Sequence, residues 1–209
     1  MADNYLERRQ EELAQRTKKI VRKTLSLDTL LRRNRSYRGY NPQRKVTETE
    51  LKDMVAVTTL VASGMNRQVL RYRLVLSDEA PLVWPLITLG AALKEEHLPK
   101  PGTEPGAFIV VCSVAPEDRV VDMDLGIAGQ SILLKATEMG LGGIFILNFR
   151  KEALKQALHL PLDPLAVIAI GQPAEKIFLK PVEEGPLAYY RKDGAHIVPK
   201  LSLDAVLIP

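Results

Sequence analysis

Apolar residues along the chain fall into two kinds of pattern, spaced runs that suit helices and dense runs that suit buried strands. Leu6, Leu13, Ile20 and Val21 stand among many charges between Tyr5 and Leu25, with no proline or glycine between them. That spacing predicts an amphipathic helix with a narrow apolar stripe, an N-terminal extension over residues 1–25 that precedes a domain over residues 26–209. A short helix over Thr29–Arg33, capped by Ser26 or Asp28, comes next. After Pro42, Thr47 and Glu50 form a capping box, and Val46 is placed to staple onto Leu51. The helix they open is expected to run to about Ala62, where Gly64 breaks it and Ser63–Gln68 form a polar loop.

Tyr72–Leu76 alternates as a strand, and Ala80–Glu96 is expected to be a helix that tolerates Pro85 only near its start. A connector rich in proline and glycine, Pro99–Gly106, leads to Ala107–Val114, an almost unbroken apolar and β-branched run. Such a run marks a central strand covered on both faces, which makes Cys112 a core residue. A helix over Asp122–Met139 follows, closed by Gly140. Glycines at 126 and 129 lower its propensity, so a close approach of other structure to its backbone is expected there. Strands over Gly143–Leu147 and Leu165–Ile170 flank a short helix over Lys151–Leu158. Beyond Pro181 the tail shows no helical period, and its apolar Leu201, Leu203, Val206, Leu207 and Ile208 need cover that a neighbouring subunit would give.

Composition narrows the class. The 209 residues are 46% hydrophobic and 26% charged, as expected of a single globular domain with appendages. A net charge of +4 is mild and gathers near the N-terminus, where interleaved Glu7, Glu11 and Glu12 argue against a nucleic-acid surface. With one cysteine, the chain forms no internal disulfide, and a reducing cytoplasm is the expected compartment. No apolar run reaches the roughly 20 residues of a membrane span. The three histidines, His97, His159 and His196, are scattered and expected to be surface or structural, so no acid–base triad is apparent.

The candidate chemistry lies in Arg32–Tyr40, where four arginines and a serine crowd into seven residues before a glycine. Guanidinium forks and a serine hydroxyl at a helix end suit a phosphate. Three further segments accompany this turn: Ser63-Gly64-Met65-Asn66-Arg67-Gln68, the helix pattern Asp124 to Gln130 with Gly140-Leu141-Gly142, and Ala169-Ile170-Gly171-Gln172-Pro173. In order and spacing the four together resemble the FMN-dependent nitroreductase family, with Asn34 at the place of the family's first arginine and without the proline and tryptophan that usually follow Gln68.

The resemblance implies an α+β fold, a nitroreductase-like mixed β-sheet flanked by helices, in a homodimer whose C-terminal segments cross to the partner and whose two FMN sites are shared. By carry-over, Asn34, Arg35, Ser36 and Arg38 hold the cofactor, with Arg38 tuning it. Ser63, Met65, Asn66 and Gln68 reach the flavin held mainly by the other subunit. Leu147 and Asn148 lie near the isoalloxazine, and Lys200 contacts the phosphate. The implied activity is NAD(P)H-dependent reduction of a small-molecule acceptor, such as a nitroaromatic or quinone, by alternating hydride transfers. A different FMN reaction on the same scaffold (dehalogenase, flavin-destroying or dehydrogenase-type) and a non-catalytic flavin-binding interaction protein are the alternatives. No metal is implied.

Overall fold

The computed structural model describes residues 25–90, 93 and 98–208. The N-terminal extension and His97 lie outside the described residues, as does most of the segment from 91 to 97. In chain order the elements are α1 (Leu27–Arg33), α2 (Glu48–Ala56), β1 (Leu70–Val75), α3 (Ala80–Val83), β2 (Ala107–Ser113), α4 (Arg119–Glu138), β3 (Gly142–Ile146), α5 (Lys151–Ala157), β4 (Pro164–Gly171), β5 (Ile177–Val182), β6 (Tyr190–Lys192), β7 (Ala195–Leu201) and α6 (Leu203–Val206).

The main sheet has the order β1-β2-β4-β3, with each neighbouring pair antiparallel. Strands β2 and β4 are its interior pair, and all seven residues of β2 are buried. Alternation divides them between two cores: Ala107, Ile109 and Val111 join α2 and α4 on one face, while Phe108, Val110 and Cys112 join α3 and α5 on the other. The result is helices on both faces of a sheet, the expected α+β architecture. Mixed pairing is confined to a second sheet, β5-β7-β6, in which β5 runs parallel and β6 antiparallel to β7.

Local chemistry explains the boundaries. The capping box of α2 forms as read, with the Thr47 hydroxyl accepting from the Glu50 N–H at 3.3 Å and the Glu50 carboxylate accepting from the Thr47 N–H at 2.9 Å. Arg44 also bonds that carboxylate and, as the largest cause, holds it below its ordinary value. Helix α2 is shorter than expected, passing at Val57–Thr59 into a 3-10 turn. Helix α4 starts earlier than Asp122, because the Asp118 side chain accepts from the N–H groups of Val120 and Val121 at 2.8 Å each.

One expectation needs correction. The helix anticipated over Ala80–Glu96 ends at Val83 and continues only as a 3-10 turn, Trp84–Leu86, before Ile87 turns extended. Pro85 cannot donate a backbone hydrogen bond and its ring crowds the preceding turn, so the helical ladder stops there. The tail, which shows no helical period, forms strands: β5 and β6 both pair with β7 within the chain. Leu203, Val206, Leu207 and Ile208 nevertheless remain exposed in the single chain.

Of the two α4 glycines expected to meet a close neighbour, only Gly129 does: a Cβ there would lie 2.3 Å from the Phe145 ring on β3. Gly126 has nothing within 4 Å and stands on an exposed face with Met123 and Ile127.

Candidate functional site

Helix α1 delivers the chain into the arginine turn, and the turn is pinned at both ends. The Asn34 N–H donates to the Leu30 carbonyl at 2.8 Å, the Arg35 guanidinium donates to the Leu31 carbonyl at 2.5 Å, and the Tyr37 hydroxyl donates to the Arg33 carbonyl at 2.9 Å. Ser36 then forms a parallel bridge with Gly143 at the edge of β3. The Tyr37 ring lies so close to Gly142 that a Cβ there would be 2.7 Å from it, and the Tyr40 ring lies equally close to Gly171. Tyr40 is fully enclosed, bridges Pro173, and donates its hydroxyl to the Tyr37 carbonyl at 2.8 Å. Glycines at the ends of β3 and β4 thus make the sockets into which the two tyrosines fit.

Between these anchors, Asn34, Arg35, Ser36 and Arg38 line a cavity of about 330 Å³. Gln130 and Leu133 of α4 and Phe145 of β3 form its other wall. The second sheet covers it: His196, Val198 and Lys200, alternate residues of β7 and therefore on one face, line it beside Ile177 of β5 and Tyr189. The cavity brings Lys200, distant in sequence, to the arginine turn, and no carboxylate is among its lining residues.

Arg38 is 6% exposed. Its guanidinium sits 4.7 Å from the centroid of the Tyr189 ring and donates to the Ser36 carbonyl at 2.9 Å. The Tyr189 ring in turn packs on His196, with centroids 5.0 Å apart. The Nε atoms of both Arg35 and Arg38 are buried without a hydrogen-bond partner among the described residues. Burial lowers the Arg35 pKa from its ordinary value, and the neighbouring Tyr37 opposes that shift. Buried guanidinium donors left unsatisfied are costly. Two arginines, a lysine and a serine hydroxyl line the cavity without a carboxylate, so the donor set fits a phosphate-bearing ligand.

The other expected site residues lie apart from this cavity. Ser63 and Gly64 are held by Asp124 of α4, whose carboxylate accepts from the Ser63 hydroxyl at 2.6 Å and from the Gly64 N–H at 2.8 Å. The Ser63 hydroxyl also accepts from the Gln68 N–H at 3.0 Å, and the Gln68 amide donates to Asn66 at 2.9 Å. Met65, Asn66 and Gln68 have φ of 52°, 53° and 47°, so three non-glycine residues share one strained loop. Met65, Asn66 and Gln68 all face solvent. Leu147 and Asn148 follow the end of β3 and are exposed as well, with the Asn148 carbonyl accepting from the Thr88 N–H at 2.9 Å.

Sequence reasoning missed three residues. His196 is 2% exposed and lines the arginine cavity, a placement hinted at only by the period of two in His196, Val198 and Lys200. Asp124, which opens the Asp124–Gln130 pattern, is buried and organises the 63–68 loop, a role its place in that pattern does not show. Glu175, which accepts from the Arg38 backbone N–H at 2.7 Å, carried no sequence signal. Cys112 behaves as expected of a core thiol, pushed up to about 11 by burial. Among the described residues no group of His, Cys, Asp or Glu could hold a metal ion, and no helix is long and apolar enough to cross a membrane.

Comparison with known proteins adds an independent line. The family model described as "Nitroreductase family" matches residues 31–172, which is more than half of the chain. A nitroreductase family protein from Clostridium novyi NT superposes with a TM-score of 0.58 at 21% identity, covering 71% of this chain and 86% of that one. The nitroreductase family protein of Streptococcus pneumoniae TIGR4 gives 0.60 at 17% identity, covering 77% and 96%. An FMN-dependent nitroreductase from Clostridium difficile R20291 gives 0.57 at 20% identity, covering 70% and 87%. No curated protein matches the chain in sequence.

Proposed function

Since the chain belongs to the nitroreductase family, we propose that it is an FMN-dependent oxidoreductase that takes electrons from NADH or NADPH and passes them to a small acceptor such as a quinone or nitroaromatic. The observation that carries this reading is the cavity lined by Asn34, Arg35, Ser36, Arg38 and Lys200 with no carboxylate among its lining residues. Bound FMN would accept a hydride and return it to a second substrate.

This chain's residues then have the following roles. Arg35, Ser36 and Lys200 hold the phosphate end through charge-assisted hydrogen bonds. Arg38, fixed under Tyr189, supplies positive charge that favours added electron density on the ligand. Phe145 and Leu133 keep water from one side of the cavity. Leu147 and Asn148, at the exposed end of β3, would help hold the ring system of the bound cofactor.

The exposed 63–68 loop serves a second copy of the chain, where Ser63, Met65, Asn66 and Gln68 complete the partner's flavin site. A homodimer would cover the apolar Met123 and Ile127 on α4 and the exposed C-terminal Leu203, Val206, Leu207 and Ile208. Residues 1–25 form an appendage outside the 26–209 domain. The lone buried Cys112 fits a cytoplasmic protein.

Anaerobic addition of NADH or NADPH to the FMN-loaded protein tests the proposal. Bleaching of the flavin absorbance, with recovery on adding a quinone or nitroarene, is the expected result. A flavin that neither nucleotide reduces would overturn it.

A further inference from the structure

The geometry points to Glu175 as a positioning residue for Arg38, an inference that rests on the flavin reading above. Glu175 lies beyond the stretch matched by the family model, in the short link between β4 and β5. Its side chain is 10% exposed. One carboxylate oxygen accepts from the backbone N–H of Arg38 at 2.7 Å, and the other accepts from the Arg191 guanidinium of β6 at 2.6 Å. The contact is close along its length, since a Cβ added at Gly39 would meet the Glu175 Cγ at 3.3 Å.

Three restraints therefore act on Arg38. Glu175 holds its main chain, the Ser36 carbonyl takes one terminal nitrogen at 2.9 Å, and the Tyr189 ring lies over the guanidinium. Two of the three come from the segment after residue 172. A charge-assisted bond to a backbone N–H fixes the Cα from which the guanidinium projects, and Arg191 holds the carboxylate so that it neither swings away nor pairs with the Arg38 guanidinium. Glu175 is not among the residues that line the cavity. It acts through Arg38, and it ties the covering sheet to the arginine turn.

The experiment is a double-mutant cycle on FMN affinity, read by quenching of flavin fluorescence in the full-length protein. If Glu175 acts through Arg38, Glu175→Ala weakens FMN binding by about tenfold in the natural chain and by less than about twofold in the Arg38→Ala background. Glu175→Gln, which keeps an acceptor for the Arg38 N–H, recovers most of the affinity. Should Glu175→Ala fail to fold, Arg191→Met releases the same carboxylate and carries the same cycle.

Losses that multiply independently of Arg38, or a Glu175→Gln variant as impaired as Glu175→Ala, would overturn this inference while leaving the flavin reading intact. A natural chain that binds no FMN would overturn both.

Discussion

Gly129 sits in the middle of α4, where helix propensity and packing pull in opposite directions. Replacing glycine by alanine in a helix interior is worth about 1 kcal/mol in propensity. A Cβ at 129, however, would lie 2.3 Å from Cε2 and 2.6 Å from Cδ2 of Phe145. Ordinary carbon contacts begin roughly 1 Å further out. Either the ring or the helix must yield by about that much, and overpacking of this kind costs about 1–3 kcal/mol.

The packing term therefore prevails, and Gly129→Ala should lose about 1 kcal/mol. For a chain of this length that lowers the melting temperature by roughly 2–4 °C. Phe145 lines the arginine cavity, so a shift of its ring should lower FMN affinity together with stability. Thermal unfolding followed by circular dichroism and a flavin titration measure the two effects. A variant that melts a few degrees higher and binds FMN as before would show that the Gly129–Phe145 contact is not what keeps glycine at this place.

Two further outcomes are expected. Cys112 should resist thiol reagents at pH 8 in the folded protein and react once the protein is unfolded, because burial raises its folded value to about 11 from an ordinary 9.0. The linkage has a definite sign: above about pH 9 the unfolded chain ionises this thiol first, so its contribution turns against folding between pH 9 and 11. Ile127→Glu, on the exposed face of α4, should halve the particle mass in light scattering and leave the melting of the monomer nearly unchanged, whereas an unaltered mass would place the dimer contact elsewhere.

The elements most legible in the sequence were those whose cause is local. A seven-residue buried strand announces itself by its unbroken apolar run, and the Thr47–Glu50 box by two side chains three residues apart. The arginine turn stood out by its density of charge, and in the structure Arg35, Ser36 and Arg38 line the cavity while Arg32 pairs outward with Asp28 at 2.8 Å. What stayed hidden depends on distant parts of the chain. Strands β5 and β7 pair in parallel with His196 opposite Ile177, and the mixed exposure of their residues gives no strong alternation to read. The roles of His196 and Glu175 follow only from that pairing. Pro85 was visible, but propensity alone did not show that the helix would end before it rather than bend.

The proposed function stands on recognition of a phosphate by the arginine turn and the inner face of β7. Parallel titrations of the apoprotein with FMN and with riboflavin, which lacks only that phosphate, test it most directly. Two or more charge-assisted hydrogen bonds at about 1.5 kcal/mol or above each predict FMN binding at least about a hundredfold tighter than riboflavin, with the preference largely lost in Arg35→Ala. Equal affinities for the two flavins, or a preference unaffected by Arg35→Ala, would contradict the claim.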